Sequence, residues 1–305
     1  MRTQSPFRSL GLVSKPASTQ NAAGRTALSR VASWLVAHTS SCWIESDTAA
    51  QLDVSNKEAL KICSLSDMPG RVDAILVVGG DGTMLATARD LAAFQVPLIG
   101  MNQGHLGFMT DMAVKDFEAP LSAVLAGDYS LEARSMIAGT LVRGQETVAT
   151  ALALNDAVIS RGASSSMVDV SVHVNGRTAY RLRADGLVVA TPTGSTAYSL
   201  SANGPIVHPG VAGFVVVPVA PQTLSNRPIV LPDDCVIDVV IEPSRSEGMS
   251  ASFDMQQWQS LRAGDLIRIE KSSLSTLLVH PASYDYYHTL RQKLHWTYNP
   301  VQSSV

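Results

Sequence analysis

Ala74-Ile75-Leu76-Val77-Val78-Gly79-Gly80-Asp81-Gly82-Thr83 is the stretch that decides the fold. Its first five residues are apolar, and three of them are β-branched, which predicts a strand buried on both faces. The glycines that follow permit a sharp turn and a close approach of the backbone to a ligand, because glycine has no Cβ. Thr83 can then cap a helix over residues 84–94. A strand, a glycine turn and a helix N-terminus together form an arrangement typical of phosphate sites.

Asp81 is the unusual residue of this turn, because a carboxylate repels phosphate unless it binds a metal or accepts a proton. Its presence at a phosphate site favours phosphoryl transfer to an alcohol. The alternative is an ordinary tight turn, since Asp-Gly pairs are common turn formers. The stretch is not a Walker A loop, which needs a following Lys-Ser or Lys-Thr pair, and it lacks the Gly-x-Gly-x-x-Gly spacing of dinucleotide sites.

The first third of the chain alternates predicted strands and helices, which indicates a parallel sheet covered by helices. Ligands of such sheets bind beyond the carboxyl ends of the strands, where Asp81 and Asn102 are expected. The predicted strands are 7–14, 41–45, 74–78 and 96–100, and the predicted helices are 22–38, 48–60, 84–94 and 115–126.

From about residue 130 the pattern changes to short strands and turns, which predicts an all-β domain. Val174-Asn175-Gly176-Arg177 carries an Asn-Gly pair between strand-like runs, a strong hairpin signal. We therefore expect an α/β domain at 1–130, joined by a helical tail at 282–305, and a β-rich domain at 131–281. The predicted strands of the second domain are 135–142, 147–160, 168–175, 187–191, 213–219, 235–242, 249–253 and 265–271.

Composition excludes several classes of partner. The chain has 305 residues, a net charge of −3 and no run rich in lysine or arginine, which argues against nucleic acid. Its longest apolar stretch, 211–220, is too short to span a membrane. The three cysteines are scattered, which indicates reduced thiols in a cytoplasmic protein. The first 44 residues contain no Asp or Glu, as in a transit peptide, but the helical apolar spacing of 27–37 favours a folded start.

The run from Asp185 to Pro205 is the most informative part of the sequence. A predicted strand leads into a loop dense in hydroxyl groups, and a short helix follows. Hydroxyls and backbone amides can hydrogen-bond to phosphates and ribose, and Tyr198 can stack on a base. A purely structural loop is the alternative, but so many small polar residues are not expected to build a core.

Four motifs in this order and at this spacing resemble the bacterial NAD kinase family. Gly-Gly-Asp-Gly alone is weak evidence, because phosphofructokinases and diacylglycerol-type lipid kinases share it, whereas the run 191–199 with the Asn155-Asp156 pair is specific. The motifs are Gly79–Thr83, Gly100–Phe108, Leu154–Asp156 and Asp185–Pro205.

The resemblance implies a phosphofructokinase-like, Rossmann-like parallel sheet followed by an all-β domain. It implies transfer of the γ-phosphoryl group of ATP to the 2′-hydroxyl of the adenosine ribose of NAD, giving NADP. Asp81 is then the catalytic proton acceptor. Mg²⁺ is expected to arrive with ATP, no metal ligand is expected in the chain, and a homodimer or homotetramer is implied. The residues that match NAD-binding positions of the family are Asp81, Gly82, Asn155, Asp156, Arg183, Asp185, Thr196, Ala197, Tyr198, Ser199, Leu200, Ser201 and Gln256, and, more weakly, Asn102 and Ser166.

Two departures and two alternatives accompany this resemblance. Asp156 is shorter than the glutamate that many family members carry, and Met255 replaces the small central residue of the turn that carries Gln256. A diacylglycerol-type lipid kinase would need an exposed apolar surface and would lack the hydroxyl-rich run. A non-enzymatic NAD(P)-binding sensor would bind dinucleotide yet release no ADP from ATP.

Overall fold

The computed structural model describes residues 4–16, 21–53, 60–104, 107–162, 167–243 and 248–296. The chain divides into two compact units, one formed by Met1–Ala133 with Leu277–Val305 and the other by Arg134–Thr276. Across the described ranges, no helix combines the length and the apolar character needed to cross a bilayer.

The described residues form eighteen strands and six helices. The strands are β1 Ser9–Ser14, β2 Ser41–Glu45, β3 Lys61–Cys63, β4 Ala74–Val78, β5 Leu98–Asn102, β6 Met112–Ala113, β7 Tyr129–Arg143, β8 Glu146–Ala153, β9 Asp156–Ser160, β10 Val168–Val174, β11 Arg177–Ala184, β12 Gly186–Ala190, β13 Gly213–Val219, β14 Ile229–Pro232, β15 Ile237–Ile241, β16 Ser250–Phe253, β17 Gln257–Ser260 and β18 Leu266–Pro281. The helices are α1 Ala22–His38, α2 Ser46–Ala50, α3 Asp81–Leu91, α4 Glu118–Leu125, α5 Tyr198–Ser201 and α6 Tyr286–Leu294, with 3₁₀ turns at Ala92–Phe94, Val114–Asp116 and Gly194–Thr196.

The first unit contains a parallel sheet in the order β3-β2-β1-β4-β5, extended by the last residues of β18 beside β5. All five residues of β4 are fully buried, as its unbroken apolar sequence predicts. Helix α1 packs on the sheet through Leu28, Val31 and Leu35, which recur at helical spacing. This unit confirms the predicted α/β class, and β1 and α1 both lie within the first 44 residues.

The second unit is built from antiparallel strands. One sheet has the order β14-β13-β12-β9-β16-β17, and a second group joins β11, β10, β15 and the first half of β18. Val170 and Ile237 on the second group share one core with Val189 and Phe214 on the first sheet. The predicted Asn-Gly hairpin is confirmed, because β10 pairs with β11 across Asn175 and Gly176. The β-rich class of this unit is therefore also confirmed.

Two predicted elements of the first unit are wrong in extent. In the described part of the helix predicted at 48–60, helical structure ends with α2 at Ala50, where the Gln51 side chain turns back onto the Asp47 carbonyl. The Glu45 side chain accepts the Asp47 and Thr48 amides at the start of α2, and residues 54–59 lie outside the described residues. Helix α3 begins at Asp81 with Gly80 as its N-cap, so Thr83 is not the cap.

Two predicted strands of the second unit are also wrong in extent. The strand predicted at 147–160 is interrupted at Leu154 and Asn155, whose backbone amides bond to the Asp254 carboxylate instead of a neighbouring strand. The strand predicted at 265–271 continues as β18 to Pro281. Hydrogen bonds between residues far apart in sequence, such as those of the Asp254 side chain, produce no local sequence pattern from which the end of a strand could be predicted.

Candidate functional site

Asp81 is the first residue of α3 and follows the glycine turn after β4. The Gly79 amide donates to the Met101 carbonyl at 2.9 Å, which joins the carboxyl ends of β4 and β5. A Cβ at Gly79 would lie 2.4 Å from the Thr83 hydroxyl, so the turn needs glycine at this position. The prediction that Asp81 and Asn102 lie at the ends of neighbouring parallel strands is confirmed.

The Asp81 carboxylate is held by two backbone amides. Phe108 N–H donates to Oδ2 and Met109 N–H donates to Oδ1, each at 3.0 Å. A Cβ at Gly107 would lie 2.1 Å from Oδ1, so glycine is what lets the loop approach the carboxylate. Each carboxylate oxygen has two lone pairs, so both oxygens can accept one further hydrogen bond. The two amides therefore orient the carboxylate, which can still accept a hydrogen bond from a hydroxyl group.

Asn102 supports this loop with its own side chain. Its Nδ2 donates to the Met112 carbonyl at 3.0 Å, and its Oδ1 accepts the Gly104 amide at 3.3 Å. The residue is 2% exposed, so its polar atoms are directed into the loop. This arrangement assigns Asn102 to loop support, and a contact with a nucleotide stays a prediction.

Asp254 organises the second predicted motif. Its carboxylate accepts the amides of Leu154 at 3.1 Å, Asn155 at 2.7 Å and Asp156 at 3.3 Å. The Asp254 amide donates back to the Asp156 carbonyl at 2.9 Å. This buried residue therefore fixes the turn that presents Asn155 and Asp156. Sequence reasoning missed its role, although it stands beside the predicted Gln256.

The turn at residues 154–156 carries polar atoms without partners. Asn155 Oδ1 and Asp156 Oδ1 are both buried and have no hydrogen-bond partner within the described part of the chain. Burial, with the Asp254 carboxylate beside it, raises the pKa of Asp156 to about 7. Unpartnered buried acceptors are costly, so this site is suited to a ligand that supplies hydroxyl or amide donors.

The hydroxyl-rich loop that begins at Thr191 also contacts the turn at residues 154–156. Thr191 Oγ1 donates to the Leu154 carbonyl at 2.6 Å, and the Thr191 amide donates to the Asn155 carbonyl at 2.8 Å. A Cβ at Gly194 would lie 2.0 Å from that Asn155 carbonyl oxygen, so glycine is required there as well. The loop and the Asn-Asp turn therefore form one structural group.

The expectation that these small polar residues cannot build a core is wrong. Thr191 and Ser195 are fully buried, because their hydroxyls bond to backbone groups of the same unit. Ser195 Oγ donates to the Pro192 carbonyl at 2.6 Å and accepts the Val207 amide at 2.9 Å. Buried hydroxyls that are fully paired cost little, so a polar loop can pack internally.

The predicted adenosine segment at 196–201 is mixed in exposure. Tyr198 is 37% exposed, and Ser201 is also exposed, so both can meet a ligand. Thr196, Ala197 and Leu200 are partly buried. Ser199 is fully buried beneath Gly204, where a Cβ would lie 2.3 Å from its hydroxyl.

Asp185 lies at the opposite end of β12 from the residue that pairs with Asp156, and Arg183 lies two residues earlier, on β11. Asp156 pairs with Ala190 at the end of β12, whereas Asp185 precedes the first residue of that strand. Five residues of extended chain separate Asp185 from Ala190, about 16 Å. Asp185 is paired there with Arg161 at 3.3 Å. A single chain therefore does not bring this pair together with Asn155 and Asp156.

Two of the remaining predicted residues are exposed to solvent. Gly82 is exposed in the first turn of α3, and Gln256 is exposed in the turn between β16 and β17. Met255, in the same turn, has a φ of 55°, a conformation that L side chains other than Asn and Asp rarely adopt. Ser166 lies outside the described residues.

The metal-ligating side chains are scattered over the described residues. No group of three or more His, Cys, Asp or Glu within them is arranged to hold a metal ion. The cysteines are unpaired thiols, of which Cys42 and Cys235 are buried and Cys63 is partly exposed.

Both parts of the chain match models of known protein families. A family model described as the ATP-NAD kinase N-terminal domain matches residues 10–129, and one described as the ATP-NAD kinase C-terminal domain matches residues 154–281. Curated proteins named NAD kinase include one from Ralstonia nicotianae, 44% identical over 300 residues that cover 98% of this chain and 97% of that protein. Another, from Burkholderia orbicola, is 47% identical over 252 residues, 83% of this chain and 82% of that protein.

Solved structures show the same fold. Yeast NADH kinase in complex with NADH superposes with a TM-score of 0.84 and 26% identity, over 97% of this chain and 90% of that one. An NAD kinase from Archaeoglobus fulgidus in complex with ATP gives a TM-score of 0.70 over 94% of this chain and 98% of that one. At 23% identity the latter supports the fold alone.

Proposed function

This chain belongs to the ATP-NAD kinase family, and we propose that Asp81 accepts the proton of the substrate hydroxyl that the enzyme phosphorylates. The activity is transfer of the γ-phosphoryl group of ATP to the 2′-hydroxyl of the adenosine ribose of NAD, which yields NADP. The observation that carries the proposal is the carboxylate held by the amides of Phe108 and Met109. Among the described residues each of its oxygens accepts one of these amides, which leaves a lone pair for the substrate hydroxyl.

The proposed step is a direct displacement at phosphorus. A ribose hydroxyl is a weak nucleophile at neutral pH, so a carboxylate that orients it and takes its proton lowers the barrier. The bond between the 2′-oxygen and phosphorus forms while the bond to the ADP oxygen breaks. Because the two amides fix the direction of the Asp81 carboxylate, little reorganisation is needed during the reaction.

We propose that the turn at residues 154–156 binds the dinucleotide. Asn155 Oδ1 and Asp156 Oδ1 accept hydrogen bonds from hydroxyl or amide groups of NAD, which supply the donors that these atoms lack. Tyr198 and Ser201 offer an exposed ring and hydroxyl from the adjoining segment, and Gly82 and Gln256 retain their proposed contacts. The second domain, 131–281, is then the NAD-binding domain, and the domain 1–130 with its tail at 282–305 carries Asp81.

The proposal also includes ATP and a divalent metal ion. Yeast NADH kinase has been solved with NADH and the Archaeoglobus enzyme with ATP, and we propose that the corresponding nucleotides bind here. We propose that Mg²⁺ arrives with ATP and is held mainly by its phosphate oxygens.

The separation of Arg183 and Asp185 from Asn155 favours an assembly. We propose that the chain forms a homodimer or homotetramer and that this pair reaches the dinucleotide of a second copy, because the length of β12 separates Asp185 from the residue that pairs with Asp156. The unpaired thiols agree with a cytoplasmic location, where such groups remain reduced.

Incubation of the purified chain with NAD, ATP and Mg²⁺ tests the function. We expect NADP and ADP in equal amounts, with NADP identified by a dehydrogenase that uses only the phosphorylated cofactor. A diacylglycerol substrate in place of NAD should yield no phospholipid. Binding of NAD without release of ADP would favour the sensor instead.

A further inference from the structure

A buried histidine between two acids lies near the end of β18 in the first unit. His280 is 2% exposed. Its Nδ1 is 2.5 Å from Asp111 Oδ2, and its Nε2 is 2.9 Å from Glu132 Oε2. The Tyr284 ring stacks on the imidazole with a centroid distance of 4.0 Å. No step of the proposed reaction uses this cluster.

The geometry sets the charge of the His280 ring. Both ring nitrogens lie within hydrogen-bond distance of carboxyl oxygens, and an ionised carboxylate only accepts hydrogen bonds, so both nitrogens donate when the two acids are ionised. An imidazole that donates from both nitrogens is the imidazolium cation. Removing this cation would take the positive charge away from the Asp111 carboxylate, whose side chain is 8% exposed, and a buried charge that loses its partner is strongly destabilising.

The same cluster is connected to Asp81 through a short loop. Asp111 follows Phe108 and Met109, whose amides hold the Asp81 carboxylate. Within this loop the Gly107 amide donates to the Thr110 hydroxyl at 2.9 Å, so a shift at Asp111 is transmitted to residues 107–109.

A second contact from the C-terminal segment reaches the same loop. The Lys293 ammonium, on α6, lies 5.6 Å from the centroid of the Phe108 ring, within the range of a cation–π contact. His280 and Lys293 therefore fix the loop at residues 107–111 at two separate points.

We propose that His280 is a positioning residue for phosphoryl transfer. Its imidazolium holds Asp111, and Asp111 holds the loop whose amides aim the Asp81 carboxylate. This inference rests on the proposed role of Asp81. His280 itself touches neither substrate, so its effect should fall on the chemical step and not on nucleotide binding.

The first test compares His280→Gln with the unchanged protein. Displacing a catalytic group by about 1 Å costs on the order of 100-fold in rate, so kcat should fall by about 10- to 100-fold. KM for NAD and for ATP should change by less than about threefold, by the same reasoning. Arg291→Gln is the matched control: Arg291 lies on α6, is exposed and pairs only loosely with Asp285 at 3.5 Å, so kcat should not change.

The second test asks whether the effect passes through Asp81. In an Asp81→Asn background, His280→Gln should cause no further fall in kcat, because the group that it positions is already gone. Equal fold losses in both backgrounds would overturn the inference, as would unchanged kcat in the single variant. Unchanged kcat in Asp81→Asn alone would overturn the role of Asp81 and this inference with it.

Two measurements keep the inference testable if His280→Gln does not fold. Asp111→Asn keeps the shape of the side chain while removing the charge, and it should give the same loss of kcat and the same dependence on Asp81. Nitrogen NMR of the unchanged protein at neutral pH should show both ring nitrogens of His280 protonated. A ring with one unprotonated nitrogen would contradict the proposal.

Discussion

Replacing Asp156 by asparagine should stabilise the protein at neutral and alkaline pH. The carboxylate is 2% exposed, and the Asp254 carboxylate accepts the amide of the same residue. Burial and this neighbouring charge raise the pKa of Asp156 from 3.8 to about 7. An asparagine of nearly the same shape carries no charge, so the variant avoids the cost of ionising a buried group.

The sign and size of the effect follow from proton linkage. The folded protein holds the Asp156 proton more tightly than the unfolded chain, so this group lowers stability as pH rises from about 4 to about 7. Each unit of pKa shift corresponds to about 1.4 kcal/mol, so a shift of roughly three units gives an upper limit of about 4 kcal/mol. Asp156→Asn should therefore gain stability progressively over this range and hold the gain above it.

Urea unfolding of both proteins at pH 4.5, 6 and 8 measures this difference. The gap in unfolding free energy should widen with pH and reach at least about 2 kcal/mol at pH 8. Asp185→Asn is the control, because the Asp185 carboxylate is 37% exposed and its replacement should show no such widening. A gap that stays constant from pH 4.5 to 8 would refute the reasoning.

Three further substitutions test the site and its supporting turn. Asn155→Ala should raise KM for NAD about tenfold or more and KM for ATP much less, because it removes an acceptor that the ligand satisfies, and equal shifts in both would indicate a structural role. If the Tyr198 ring stacks on a base, Tyr198→Phe should bind NAD nearly as well as the unchanged protein. Tyr198→Ala should then lose about 1–3 kcal/mol of binding free energy, measured by calorimetry. An alanine variant that melts at a lower temperature but binds NAD normally would contradict stacking. Met255→Gly should raise the unfolding free energy by about 1 kcal/mol, because Met255 has a φ of 55°, and a lower melting temperature would show that the Met255 side chain stabilises the turn.

The sequence predicted those parts of the fold that have a local pattern. The apolar run of β4, the spacing of Leu28, Val31 and Leu35 in α1, and the Asn-Gly hairpin at 175–176 each follow from neighbouring residues. Local spacing did not predict where α2 ends, because the Gln51 side chain closes that helix by a bond to the Asp47 carbonyl.

The motifs named candidate site residues whose ligand contacts stay predictions, but they did not predict the residues that support the site. Asp81 and the Asn155-Asp156 pair lie in recognisable motifs, whereas Asp254 reaches Leu154 across 100 residues of sequence. Gly107 packs against Asp81 and Gly194 against Asn155 only because the folded chain brings these segments together. The local spacing of apolar residues does not predict such contacts. The polarity of the 191–199 run also misled, since Thr191 and Ser195 bond internally.

The kcat of Asp81→Asn tests the central claim most directly. Asparagine cannot take the proton of the ribose hydroxyl, so kcat should fall by about 100- to 10,000-fold, the usual contribution of a general base. NAD affinity, measured by calorimetry on the same preparation, should change by less than about threefold, because the claim places Asp81 in the chemical step. A variant that makes NADP at close to the unchanged kcat would contradict the account.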